Sequence, residues 1–64
     1  MEIISTSKGR TIKTAIVHPL GGPVDKDAAL EIVMAHFGER KSSLFGWRVL
    51  EGDDGMVTVD LYLD

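Results

Sequence analysis

The side chains that could support catalysis in this chain are few, and their spacing does not gather them. The two histidines are His18 and His36, and there is no cysteine. A hydroxyl nucleophile with a base and an orienting acid can be written from Ser42, His36 and Asp25. Nothing in their separation brings the three within hydrogen-bond reach. His18 and His36 with a carboxylate form no ligand spacing typical of a metal site, and thiolate ligands are absent. The adjacent carboxylates Asp53 and Asp54 have the right type for acid–base chemistry, but they precede Gly55 in what reads as a tight turn with no cleft around it. Gly21-Gly22 ahead of a helix has the order of a phosphate cradle. It lacks both the Walker lysine and the three spaced glycines of a dinucleotide loop, and Asp25 and Asp27 would repel an anion there. A domain of this size also has little volume for a pocket of the ~300 Å3 usual for ligands. The expectation is a non-catalytic protein with no metal and no cofactor.

The elements that position these residues are built around one helix, read from Asp25 to Gly38. Leu30, Val33, Met34 and Phe37 recur at i, i+3, i+4 and i+7, a single apolar stripe. Asp25 suits the N-cap, where its carboxylate accepts from first-turn amides. Asp27 complements the positive end of the helix dipole. Gly38 suits the left-handed residue that ends the helix. On the far side Ala28, Ile32 and Ala35 lie beside Glu31 and His36. That face either admits another surface closely or places Ile32 at the flank of the core.

A hairpin precedes the helix and another follows it. Residues 2–6 and 10–18 read as strands around Ser7-Lys8-Gly9. This turn pairs Thr6 with Arg10, puts Ile4 opposite Ile12, and makes Ile4, Ile12, Thr14 and Ile16 the core face. Pro19 then stops the strand, because it has no N–H for a ladder. Residues 44–51 and 56–63 form the second hairpin. Val57, Val59, Leu61 and Leu63 alternate strictly with polar residues. A turn at Asp53-Asp54-Gly55 pairs Gly52 with Met56, Val49 with Val59, Trp47 with Leu61 and Phe45 with Leu63. The fold expected is α+β in the order ββαββ, with one helix on one face of a four-stranded, mostly antiparallel sheet. Its core would contain Ile4, Ile12, Ile16, Leu30, Val33, Met34, Phe37, Phe45, Trp47, Val49, Val57, Val59, Leu61 and Leu63. In that core Trp47→Ala would unfold the protein. The uncovered face would gather Ile3, Ala15, Val17, Leu44, Leu50, Met56 and Tyr62 among Lys13, Arg48, Thr58 and Asp60.

The 64 residues read as one small domain, 1–64, of a size at which oligomerisation often supplements a small core. No basic stretch followed by an apolar run suggests a signal peptide, and no apolar run approaches a membrane span. With no cysteine, a cytoplasmic location is expected. The net charge of −3 is uneven. Lys8, Arg10 and Lys13 make the first hairpin basic, while Glu51, Asp53, Asp54, Asp60 and Asp64 make the last one acidic. Acidic surface favours basic protein grooves over nucleic acid. Tyr62 and Arg48, on the uncovered face, are residue types enriched at binding hot spots.

In size, cysteine-free composition and mild acidity, the chain resembles the short proteins that phages encode against host machinery, anti-CRISPR proteins and polymerase inhibitors among them. The likeness is one of size and chemistry rather than of a motif. It implies an inhibitor whose acidic surface, from Glu51, Asp53, Asp54, Asp60 and Asp64 with Tyr62 and Arg48, occupies a basic groove of a larger bacterial nucleic-acid-binding protein. Two alternatives use other surfaces. One is a nucleic-acid-binding or transcription accessory protein working through Lys8, Arg10 and Lys13, with Arg40 and Lys41 in support. The other is a homodimer or larger scaffold joined through the outer sheet face.

Overall fold

The computed structural model describes residues 1–63. The chain runs β1 (Glu2–Lys8), β2 (Ile12–His18), α1 (Lys26–Phe37), a 3-10 turn (Lys41–Ser43), β3 (Gly46–Glu51) and β4 (Val57–Tyr62). The strands form one sheet in the order β1-β2-β4-β3, and every pair is antiparallel. This is the expected α+β architecture, with the helix on one face of the sheet.

The helix ends follow local chemistry. Asp25 is extended and its Oδ1 accepts from the Ala28 N–H at 3.1 Å. Gly38 takes φ +70°, which lets the Gly38 and Glu39 amides reach the Ala35 and Met34 carbonyls at 3.2 and 2.9 Å. Only a residue without a Cβ adopts that conformation without strain. The second hairpin also forms in the expected register, with Trp47 opposite Leu61 and Val49 opposite Val59. Gly55, at φ +81°, closes its turn. The Gly52 N–H donates to the Met56 carbonyl at 2.8 Å, and the Met56 N–H donates to Asp54 Oδ1 at 2.9 Å.

The first hairpin differs from expectation. Lys8 pairs with Lys13, Ser7 with Thr14 and Thr6 with Ala15, so the turn spans Gly9 to Thr11 rather than centring on Lys8. The Gly9 N–H closes it on the Ile12 carbonyl at 2.8 Å. A bulge between Ile3 and Ser5 then shifts β1 by one residue. The larger correction concerns β2. It pairs with β4 so that Ala15 lies beside Val59 and Val17 beside Val57, and these residues face the helix. Ile12 and Ile16 face the opposite way.

The core is therefore Ala15, Val17, Ala29, Leu30, Val33, Met34, Val57, Val59 and Leu61. Ile4, Ile12, Phe45 and Trp47, all expected inside, are 51%, 42%, 83% and 44% exposed. Ile16, Phe37, Val49 and Leu63 are half-buried. The physical reason is that β2 carries apolar residues in both phases of its alternation. The helix settles over the smaller pair because Ala15 and Ala29, both fully buried, let helix and sheet approach closely. Ile3, Lys13, Ala15 and Val17 thus belong to the helix side and not to the open face. Trp47 and Phe45 are exposed where the chain enters β3, an edge strand with no further strand beyond it, although α1 contacts β3 as well as β2 and β4. Ile32 packs against the core as a flank residue, while Ala28 and Ala35 are exposed.

Candidate protein-binding surface

The residues with catalytic potential lie apart, and several have local structural roles. Asp25 caps the first turn of α1, and His36 sits in its last turn, edge-on to Phe37 at 5.2 Å. A helix of that length separates them by about 16 Å, so they cannot share a proton relay. His18 Nδ1 accepts the Leu20 N–H at 2.8 Å, an interaction internal to the turn after β2. Ser42 and Ser43 lie in the 3-10 turn, where the Ser43 N–H bonds the Arg40 carbonyl at 2.9 Å. Among the described residues, no group of His, Asp or Glu side chains converges as a metal site does. An open depression of about 350 Å3 lies between the C-terminal half of α1 and the following loop, lined by Glu31, Met34, Ala35, Glu39, Arg40 and Lys41. Its Glu39 is already engaged, accepting from Lys13 Nζ at 2.7 Å.

The two hairpin turns lie at opposite ends of the sheet. Ile12, beside the first turn, pairs with Tyr62 at the end of β4, while Val17 pairs with Val57 beside the second turn. Lys8 and Arg10 therefore mark one end of a molecule 33 Å long, and Glu51, Asp53 and Asp54 mark the other. All three acids are exposed, and among the described residues none has an ion-pair partner. Hydrogen bonds from the Gly52, Gly55 and Met56 amides close the turn between them.

Asp60, Arg48 and Tyr62, also expected at the binding surface, lie on the open face of the sheet rather than at the acidic turn. Asp60 is 8% exposed on the open face at the centre of the sheet. Its Oδ1 accepts from Thr14 Oγ1 at 2.9 Å, and its Oδ2 accepts from Arg48 Nε and a terminal guanidinium nitrogen at 3.3 and 3.1 Å. These three side chains form a row across β2, β4 and β3, since Thr14 and Arg48 are the direct cross-strand partners of Asp60. The carboxylate is thus satisfied inside the protein and adds little to an outward negative field. Tyr62 is half-buried on the same face, but at the end of β4 away from the acidic turn, with its ring across Gly46. Asp64 lies outside the described residues.

The open face carries Ile12, Thr14 and Ile16 on β2, Thr58, Asp60 and Tyr62 on β4, and Arg48 and Leu50 on β3. It is apolar at its margins and polar at its centre. The basic cluster of the first hairpin is smaller than its sequence suggests. Lys13 points to the helix side, where it pairs with Glu39 and lies 5.6 Å from the Phe37 ring centre. The Arg48–Asp60 pairing was legible in the sequence, because the register of the second hairpin sets the two opposite each other. The Lys13–Glu39 pair depends on how the helix docks and had no local signal. No protein-family model, curated protein or solved structure matches the chain.

Proposed function

We propose that the chain is a small non-catalytic binding protein, acting in the bacterial cytoplasm as phage-type inhibitors do. It docks its acidic turn into a basic, nucleic-acid-binding groove of a larger protein. The observation that carries this reading is the exposed, hydrogen-bonded turn bearing Glu51, Asp53 and Asp54, none of which has an ion-pair partner among the described residues. A fixed cluster of uncompensated carboxylates raises association rates with a basic groove and disfavours nucleic acid itself. The absence of cysteine suits a reducing compartment, and no helix among the described residues is long and apolar enough to cross a membrane. Asp60 and Arg48 contribute shape and stability at the sheet centre rather than charge to the partner. The nucleic-acid alternative is weakened by the withdrawal of Lys13 into its pair with Glu39.

The test is an affinity pull-down of the tagged protein from bacterial lysate, with and without nuclease, read by mass spectrometry. The expected result is a nuclease-resistant partner that itself binds nucleic acid. Reversing Asp53 and Asp54 to lysine should then weaken the complex about tenfold or more and flatten its salt dependence. Unchanged binding by that variant excludes the acidic turn, and capture that vanishes with nuclease moves the activity to Lys8 and Arg10.

A further inference from the structure

The strand order leaves two sheet edges, β1 and β3, and they are not alike. β1 breaks register between Ile3 and Ser5, and a bulge of this kind turns an edge strand away from further pairing. β3 runs along β4 without a shift from Gly46 to Glu51. It contains no proline, and Trp47 and Leu50 along it, with Phe45 just before it, are large apolar residues left exposed.

The hydrogen bonds of the second turn set the phase of that edge. The Gly52 N–H bonds the Met56 carbonyl at 2.8 Å. Bonded and non-bonded pairs alternate along an antiparallel ladder. Leu50, Arg48 and Gly46 therefore direct their backbone groups to β4, and Glu51, Val49 and Trp47 direct theirs away from the sheet.

We propose that β3 pairs antiparallel with β3 of a second copy, around a two-fold axis normal to the sheet at Val49. Val49 then pairs with the second copy's Val49, and Trp47 with the second copy's Glu51, so the outward N–H and C=O groups of all three residues are bonded. Centring the axis on Arg48 instead sets two guanidinium groups face to face and carries Glu51 past the end of the partner strand. Centring it on Val49 joins the two sheets into one of eight strands, four from each copy, with both helices on the same side.

Charge selects the second copy as the occupant. The chain enters β3 from Arg40 and Lys41 and leaves it through Glu51, Asp53 and Asp54, so the edge is positive at one end and negative at the other. Such an edge complements itself only when antiparallel. Lys41 Nζ already lies 5.5 Å from the centre of the Trp47 ring. The second copy's Glu51, paired with Trp47 on that face, arrives beside it, and symmetry repeats the contact. Edge pairing buries less area than a standard interface, so a dimer dissociating at roughly micromolar concentration or above is expected. This inference shares only Glu51 with the acidic-turn reading, since Asp53 and Asp54 lie beyond the paired residues, so loss of the dimer in Val49→Pro and loss of a partner on reversal of Asp53 and Asp54 are separate outcomes.

The test is sedimentation equilibrium from about 0.1 μM to 1 mM, a range that brackets such a constant, combined with amide hydrogen exchange by NMR. The expected result is a shift to twice the chain mass, with the amides of Trp47, Val49 and Glu51 exchanging more slowly as concentration rises. The β1 amides should not respond. Val49→Pro removes the central donor, one the isolated chain leaves unpaired, and should give a folded monomer. Should that variant fail to fold, the charges decide. Glu51→Lys and Lys41→Glu should each weaken the dimer about tenfold, because each acts at two symmetric contacts, and the double swap should restore it. A single-chain mass throughout overturns the proposal. So does a dimer that survives Val49→Pro but is lost in Ile12→Lys, which would place the contact on the open face.

Discussion

Exchanging the sizes of two residues on β2 tests which face of that strand the helix covers. Ala15 is fully buried beneath α1, while Ile12, on the opposite face, is 42% exposed. Ala15→Leu adds three carbons where there is no free volume, and overpacking of this kind costs about 1–3 kcal/mol. Ile12→Thr keeps the β-branch and gives up a side chain already partly in water, at a cost of about 0.5–1 kcal/mol. In a domain of this size 1 kcal/mol moves Tm by about 4–8 °C, so Ala15→Leu should melt roughly 5–20 °C lower and Ile12→Thr no more than about 8 °C lower. Total stability of about 3–10 kcal/mol leaves both variants measurable. Urea and thermal unfolding followed by circular dichroism, with m-values checked for constancy, provide the assay. If the helix instead covered Ile12 and Ile16, the order would invert: Ala15→Leu would be neutral at the surface and Ile12→Thr would cost the most. That inverted order would refute the facing described above.

Two further predictions concern polar and backbone features. Asp60→Ala should destabilise by about 1–3 kcal/mol because it strands the Thr14 hydroxyl and frees Arg48. Arg48→Met should cost less, about 1 kcal/mol, since the guanidinium side is 58% exposed and solvent-screened; a double-mutant cycle in urea checks that the two couple. Leu20 holds φ +58° on the surface, a left-handed conformation costing about 1–2 kcal/mol for a residue with a Cβ. Leu20→Gly should relieve that strain while adding about 0.4–1 kcal/mol of unfolded-state entropy, for a net gain of up to about 1 kcal/mol in the melt.

At the helix ends and the second turn, short-range chemistry let the sequence alone determine the outcome, whereas the first turn, with no comparable signal, formed at Gly9 to Thr11. Asp25 and Gly38 bound the helix because capping acts within one turn. Asp53-Asp54-Gly55 sets the register of the second hairpin because a left-handed glycine fixes the turn, and strict alternation then aligns Trp47 with Leu61. That register also placed Arg48 opposite Asp60. Tertiary structure decided whatever depended on a partner distant in the chain. β2 is apolar in both phases, so its inward face was chosen by β4 and by the close approach that Ala15 and Ala29 permit. Trp47 and Phe45 stayed exposed because strand order put β3 at the edge of the sheet, with no strand beyond it. Lys13 left the basic hairpin for Glu39, and Asp60 left the acidic surface for a network spanning three strands. Residue types set the charge of this protein, but the packing of one helix on four strands selected which charges face outward.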